Sequence, residues 1–129
     1  MNTANIKIIT NNPSVSEKYK NITVSHDCSV EAIFKLTRDE IHLGAVLINH
    51  PLSGSVKPNE SPYKSLVIST KRGCLDADSL KWIESALEVL YKLQKLDREL
   101  PDSVLADFQL IDLDLLDSAI TALPAEYYI

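Results

Sequence analysis

The stretch AVLINHPLSGSVKPNESPYKSLVIST, residues 45–70, decides the predicted fold. It begins with the apolar run Ala45–Asn49 and ends with the β-branched run Leu66–Thr70, which together predict two strands. Both runs are almost continuously apolar, as is typical of strands that are covered on both faces. Residues 50–65 hold three of the six prolines and one of the three glycines, with no helical period. This connection is therefore either an extended crossover between parallel strands or a loop that leads into an antiparallel fourth strand.

Helical patterns alternate with two further strand-like runs along the rest of the chain. The strands are predicted at Ile6–Thr10 and Ile22–His26. The helices are predicted at Pro13–Lys20, from Ser29 to Leu43, from the Leu75–Asp78 turn to Leu100, at Asp102–Phe108 and from Asp112 to Leu123. Such alternation over short connections favours a parallel α/β fold. The pattern leaves open whether residues 124–129 pack on the domain or are disordered.

We therefore predict a single α/β domain over residues 1–129. Its architecture is expected to be a three-layer, sandwich-like fold of the Rossmann-like type, with a small, mostly parallel four-stranded sheet and extra helices at the C-terminus. The helix from Ser29 shows helical spacing, because its apolar residues recur near every 3.6 positions. That face consists of Val30, Ile33, Phe34, Thr37 and Ile41, and Gly44 is placed to end the helix.

The charge distribution limits the classes of partner. The net charge is −5, and residues 97–129 carry eight acids and one arginine, whereas residues 1–96 carry 12 Lys and Arg and 10 acids. No basic face for nucleic acid is predicted. The acidic helical region 97–129 is either a solvated surface or a docking surface for a basic partner. No apolar run is long enough for a membrane span and MNTANIKIIT is not a signal peptide, so we predict a cytoplasmic protein without membrane association.

Neither a metal site nor a cofactor is predicted. Cys28 and Cys74 form no CxxC pair, and the three histidines have no ligand spacing, so both thiols are expected to be reduced. The stretch SGS, residues 53–55, fits neither the phosphate loop GxxxxGK[ST] nor the nucleophile elbow GxSxG.

A small-anion site is predicted where polar segments follow the strands. In open α/β sheets, ligands bind beyond the carboxyl ends of the strands. The segments at residues 10–13, 25–27 and 49–55 would meet there if their strands are parallel. Backbone N–H groups around the glycine would hold the anion, lysines would neutralise its charge, and asparagines would orient it. The candidate ligand-binding residues are Asn11, Asn12, His50, Ser53, Gly54, Ser55, Lys57 and Lys64.

His50 carries two alternative interpretations. It is either a structural histidine that hydrogen-bonds within the loop, or a general acid or base, since histidine titrates near neutral pH. It is the only catalytic candidate, and the residues do not decide whether the chain is an enzyme.

Three strings of the chain resemble the GrdX family: IITNNP (Ile8–Pro13), HPLSGSVKPNESPYKS (His50–Ser65) and DFQLIDLDLLDSA (Asp107–Ala119). This family consists of small proteins associated with glycine, sarcosine and betaine reductase systems of amino-acid-fermenting anaerobes. The resemblance implies a cytoplasmic accessory or regulatory protein with reductase-complex proteins as partners. Because glycine reductase makes acetyl phosphate from glycine and phosphate, a phosphate or acyl phosphate would suit the predicted anion site. No redox role is carried onto the two cysteines, which lie outside these strings.

Three functions remain open at this point. The first is the accessory or regulatory protein with an anion site at the Ser53–Lys57 loop. The second is a small enzyme that acts on an acyl phosphate or amino-acid derivative through His50. The third is an interaction module that docks through its acidic C-terminal helices. A homodimer is also compatible with apolar terminal helices.

Overall fold

The computed structural model describes residues 5–53, 57–93 and 99–127. These residues form the strands β1 (Ile6–Thr10), β2 (Thr23–Ser25) and β3 (Ser65–Ser69). They also form the helices α1 (Pro13–Lys18), α2 (Val30–His42), α3 (Ala77–Lys92) and α4 (Asp102–Thr121), and a 3-10 turn at Ala125–Tyr127. The prediction of an α/β fold is confirmed.

The sheet is mixed and has the strand order β2-β1-β3. β1 pairs in parallel with β2, with Ile9 opposite Val24, and antiparallel with β3, with Ile8 opposite Val67. The prediction of a mostly parallel, four-stranded, Rossmann-like sheet is therefore wrong. The physical reason lies in the connection at residues 50–64, whose described residues, 50–53 and 57–64, form no helix that could carry the chain back along the sheet. A loop alone can join only antiparallel neighbours easily, so β3 runs back beside the segment that precedes it.

The predicted third strand, Ala45–Asn49, is reduced to a single antiparallel bridge between Leu47 and Ile68. Side chains form several of the hydrogen bonds that backbone groups of a neighbouring strand would form in a regular sheet. Val46 N–H donates to Ser69 Oγ (2.8 Å) and Leu47 N–H donates to Ser79 Oγ (2.9 Å). The Asn49 amide accepts from Val67 N–H (2.8 Å) and donates to Ser65 O (3.3 Å). The segment follows the edge of β3 without becoming a regular strand.

Helices cover both faces of the sheet, and each face has its own core. Side chains alternate along the strands, so Ile9, Leu66 and Ile68 face one way while Ile6, Ile8 and Val67 face the other. The first set packs against α2 and α3, and we call this the α2–α3 side. The second set packs against α1 and α4, and we call this the α1–α4 side.

The helix α2 follows its sequence pattern closely. All five residues of the predicted apolar face are buried. Ser29 caps the helix by accepting from Ala32 N–H (3.1 Å). Gly44 follows the C-terminus with φ of 102°, a conformation that favours glycine.

The last long helix differs from its prediction, because α4 is one continuous helix of 20 residues instead of two shorter helices. No Gly or Pro lies between Asp102 and Thr121, so the chain has no residue that would interrupt it. In contrast, α3 ends at Lys92, earlier than its predicted end at Leu100. No helix among the described residues combines the length and apolar character needed to cross a bilayer.

Candidate functional site

The polar segments meet at one edge of the sheet. β1 and β2 are parallel, so Thr10 and Ser25 end at the same edge, and His26 N–H donates to Thr10 O (2.9 Å). Residues 46–49 run antiparallel to β3, so Asn49 ends where Ser65 begins β3. The three segments therefore meet although the sheet is mixed.

A buried polar cluster, consisting of Thr10, Asn12, Ser65 and Asp112, lies at this edge on the α1–α4 side. Asp112 Oδ2 accepts from Ser65 Oγ (2.7 Å) and from Asn12 Nδ2 (3.0 Å). Since the Ser65 hydroxyl proton points to Asp112, the Thr10 hydroxyl must donate to Ser65 across their 2.6 Å contact. Asn12 N–H in turn donates to Thr10 Oγ1 (2.9 Å). A chain of donors thus ends on the carboxylate, which offsets the cost of burying it.

A small cavity of about 20 Å³ lies beside Asp112, between α4 and residues 57–64. This volume holds one or two water molecules. Exposed Ser53 and Lys57 form its mouth, and half-buried Lys64 lies in its wall. The other lining residues are Val30, Pro58, Ser61, Tyr63, Phe108, Ile111 and Leu115.

Among the residues that line this cavity, Lys64 differs in carrying a largely buried positive charge. The ion pairs among the described residues do not include it. Burial lowers the pKa of Lys64 because it disfavours the charged form, while the nearby Asp112 carboxylate acts in the opposite direction. The cavity therefore holds a partly desolvated cation that no carboxylate of the described residues neutralises directly.

Asn11 and Asn12 hold the backbone segments around the cavity through hydrogen bonds. Asn11 Nδ2 donates to Cys28 O (2.8 Å) and Pro62 O (2.7 Å), and its Oδ1 accepts from Lys64 N–H (2.8 Å). Asn12 Oδ1 caps α1 by accepting from Ser14 N–H (3.0 Å). Neither asparagine lines the cavity. Both side chains position the loop and Asp112, and neither points its amide at the cavity.

The loop is also tied to α4. The Tyr63 hydroxyl accepts from Gln109 Nε2 (2.9 Å), and Gln109 Oε1 accepts from Ser14 Oγ (3.1 Å). This connection fixes the wall that contains Lys64 against the helix that contains Asp112. The predicted ligand-binding residues Gly54 and Ser55 lie outside the described residues.

His50 lies apart from this cavity. Its exposed ring is 5.3 Å from the Trp82 ring, and its Nδ1 accepts from Leu52 N–H (3.1 Å). It does not appear among the cavity-lining residues. These contacts match the interpretation of a histidine that shapes its own loop, and they bring no second acid or base to it.

A family model described as GrdX-like protein matches residues 7–121. This chain belongs to the GrdX-like family. No curated protein and no solved structure shows significant similarity to it. The sequence resemblance is thereby confirmed, and membership suggests an association with glycine reductase-related systems.

The matched GrdX-like region contains the whole cavity and the whole buried polar cluster. Asp112 is the member that sequence reasoning missed. Asp112, Leu116 and Ile120 follow each other at four-residue intervals and are the buried residues of α4. A continuous helix would have placed Asp112 on the apolar face, and an acid on such a face signals a buried carboxylate.

The cysteines of the GrdX-like chain are both free thiols, Cys28 half-buried and Cys74 exposed. Burial, together with the adjacent Asp27 carboxylate, raises the pKa of the Cys28 thiol. This shift keeps Cys28 protonated and makes it a poor nucleophile. Within the described ranges, no group of three His, Cys, Asp or Glu side chains is arranged to hold a metal ion.

Proposed function

We propose that this chain is an accessory or regulatory protein of glycine reductase-related systems that binds a small anion at the cavity between Ser53, Lys57 and Lys64. Family membership supports the first part. One observation carries the second part: Lys64 lines a cavity, and its ammonium forms no ion pair among the described residues.

Burial of the Lys64 ammonium costs free energy of desolvation. A partly buried ammonium loses hydration that only a counter-charge or strong acceptors can replace. An anion in contact with Lys64 would supply that counter-charge, and exposed Lys57 would attract it to the mouth. The bound anion would thus provide the negative charge that no carboxylate of the described residues places against Lys64.

Preorganisation supports the same assignment. The main chain of Lys64 is held from both sides, since its N–H donates to Asn11 Oδ1 (2.8 Å) and its carbonyl accepts from Asn11 N–H (3.4 Å). The lysine therefore starts from a fixed backbone, which reduces the entropy lost when a ligand is bound.

The cavity size limits how the anion enters. A volume of about 20 Å³ admits one charged group, so the rest of a larger ligand would remain at the mouth beside Ser53. A phosphate or an acyl phosphate meets this requirement, because its terminal oxygens can reach Lys64 while the other atoms stay near Lys57.

The test is a thermal-shift and calorimetric titration with phosphate and acetyl phosphate. The variant Lys64→Met removes the buried charge, and Lys20→Met removes an exposed lysine that has no ion pair among the described residues. We expect wild type and Lys20→Met to be stabilised by the ligand, and Lys64→Met to bind at least about tenfold more weakly. Equal binding by Lys64→Met, or no binding at millimolar concentration, would contradict the anion site.

A second candidate function, protein docking through α4, rests on the composition of that helix. It carries five aspartates and no basic residue, and it exposes Leu110 and Ile111. Exposed apolar side chains among acids suit a partner whose apolar patch is bordered by Lys or Arg. Reductase components are the partners that family membership suggests.

This docking function predicts binding that weakens as salt rises. Purified reductase components would be titrated with wild type, with Asp107→Asn/Asp114→Asn, and with the control Asp39→Asn/Asp78→Asn, which changes exposed acids of α2 and α3. We expect weaker binding only for the α4 variant. Binding that is insensitive to both the salt and the α4 change would remove this candidate.

A further inference from the structure

We infer that a second cavity binds a small molecule with an apolar body and a positively charged amine. This cavity measures about 640 Å³ and lies between the start of α2, residues 58–62 and the end of α3. It is a separate site from the proposed anion site, because Lys64 does not line it. One observation carries the inference: the cavity has the size of a ligand site and apolar walls, and every charged lining residue that the structure describes is an acid.

The volume of this cavity suits an organic molecule. Small-molecule sites in proteins measure roughly 300–1,000 Å³, and this cavity lies within that range. The small cavity beside Asp112, in contrast, has about 20 Å³. Val30, Pro58 and Ser61 contribute to the walls of both, so the two cavities are neighbours. The larger one has the room for a ligand body that the smaller one lacks.

Apolar side chains form a large part of the wall. The end of α3 and the chain beyond it contribute Leu90, Leu93 and Leu100, and the loop contributes Pro58 and Pro62. All five residues are partly exposed. A ligand that covers them would remove apolar surface from water, which is favourable. The body of the ligand is therefore expected to be apolar.

The charged side chains in this wall have one sign. Glu31 lies on the first turn of α2 and Glu60 in the loop, and no Lys or Arg stands among the lining residues that the structure describes. Lys35, which does not line the cavity, pairs with Glu31 Oε1 (3.4 Å) in a solvent-exposed contact of the kind that contributes little. An anion in this cavity would meet two carboxylates, whereas both would attract an ammonium group.

The Cys28 thiol lies in the same wall and responds to the same surroundings. Burial raises the pKa of Cys28, and the negative charge of the adjacent Asp27 raises it further. The N-terminus of α2 acts in the opposite direction, but its partial charge is only about half an elementary charge, and Asp27 and Glu31 both lie beside it. The acids therefore determine the sign of the charge that a ligand meets.

Hydrogen bonds hold the walls in place before any ligand binds. Asn11 Nδ2 donates to Cys28 O (2.8 Å) at the start of α2 and to Pro62 O (2.7 Å) in the loop, so one side chain joins two walls. Within the loop, Glu60 N–H donates to Lys57 O (3.0 Å). A preformed cavity loses less conformational entropy when it binds a ligand.

The experiment follows alkylation of the two cysteines of the full chain by iodoacetamide, with mass spectrometry to quantify each site. Cys28 lines the cavity, whereas Cys74 is exposed outside it and serves as the internal control. Three probes share one naphthalene body and differ in charge: naphthylmethylamine, naphthylmethanol and naphthoate. At an amine concentration about ten times its dissociation constant, alkylation of Cys28 should slow about tenfold, and that of Cys74 should not change.

Protection of Cys28 also ranks the three probes, and it counts only binding in this cavity. We expect the amine to protect at a concentration at least about threefold lower than the alcohol, as one partly exposed ion pair provides, and at least about tenfold lower than the carboxylate. In Glu31→Gln/Glu60→Gln, the amine should lose this advantage. Glu17→Gln/Glu84→Gln is the matched control, since both acids are exposed and neither lines the cavity, and it should keep the wild-type order.

Four results would overturn the inference. If the carboxylate protects Cys28 as well as the amine does, the charge of the ligand is wrong. If Glu31→Gln/Glu60→Gln keeps the wild-type order, the two acids do not select the ligand. If calorimetry detects binding of the amine while Cys28 stays unprotected, the amine binds elsewhere. If no probe binds at millimolar concentration, the cavity is not a ligand site. The ranking of the probes uses wild type alone, so it decides the matter even if the variant does not fold.

Discussion

The two sides of the sheet show two different kinds of packing. The α2–α3 side is an apolar core in which Phe34 and Ile83 are completely buried. The α1–α4 side has a smaller apolar core around Leu116 and Ile120, and it also buries Asp112 with the hydroxyl and amide groups that bond to it. Apolar side chains of similar volume would usually be at least as stable as such a charged group. The α1–α4 side therefore depends on hydrogen bonds to a buried carboxylate as well as on apolar packing.

The largest change in the free energy of unfolding is expected from a substitution on the α2–α3 side. Phe34→Ala should reduce the free energy of unfolding by about 3–5 kcal/mol, because it opens a cavity in a fully packed region. Urea unfolding followed by circular dichroism would measure it. Leu43→Ala is the control, since Leu43 is 64% exposed and should change stability by less than about 0.5 kcal/mol. A similar small loss for Phe34→Ala would show that this side is not the main core.

The next largest loss of stability is expected from a substitution in the buried polar cluster on the α1–α4 side. Asp112→Ala should cost about 1–3 kcal/mol, because Asn12 Nδ2 loses one acceptor and the Ser65 hydroxyl loses its acceptor inside the protein. Asp112→Asn should cost less, since its amide oxygen can accept from the same donors. The same urea experiment measures both variants. Equal stability of wild type and Asp112→Ala would mean that the buried polar cluster does not support the fold.

A third effect concerns the end of α2. Gly44→Ala should cost about 1–2 kcal/mol for the left-handed backbone alone. The added Cβ would also lie 2.9 Å from Gly73 N and still closer to the Gly73 carbonyl oxygen. Gly73→Ala is the matched control, because a Cβ there meets no atom within 4 Å. Thermal unfolding of the two variants should separate them, and an equal loss for both would contradict this account.

The smallest expected change is an increase, rather than a decrease, in the free energy of unfolding. Lys64→Met should raise stability near pH 7 by a fraction of a kcal/mol, because it removes a half-buried charge. Burial lowers the pKa of Lys64, so in the window between its folded and its ordinary pKa the unfolded chain binds more protons. Wild-type stability therefore rises with pH through that window, and the advantage of Lys64→Met should shrink as pH increases. Stability curves at several pH values in ligand-free buffer, with Lys20→Met as the reference, would check this, and an advantage that grows with pH would contradict it.

Sequence reasoning succeeded where local spacing determines the outcome. The strand β1 has its predicted bounds, and the apolar face of α2 is buried at every predicted position. Period and capping act over one or two helical turns, so they can be read from neighbouring residues. The structure places Lys64 in the wall of the small cavity, and its role in ligand binding stays a prediction.

Long-range contacts decided what could not be predicted. The direction of β3 depends on how residues 50–64 return to the sheet, and both directions fit the same apolar run. Asp112 stands among other aspartates and resembles a residue of a solvated face. Its burial comes from Asn12 and Ser65, which are 100 and 47 residues away in the chain. Only the three-dimensional arrangement brings these partners together.

The side chain of Asn49 has a consequence for how this protein behaves in a crowded solution. Its amide occupies the position of a peptide group beside β3, bonding to Val67 N–H and Ser65 O. Ile48 N–H bonds to Val67 O, and Val46 O accepts from Ser69 N–H, so these backbone groups on the outer edge of β3 are taken. Unpaired strand edges are the templates on which other chains add and aggregate. Asn49 ends the sheet on this side much as a capping residue ends a helix, and it denies a second chain the hydrogen bonds it would need to join there.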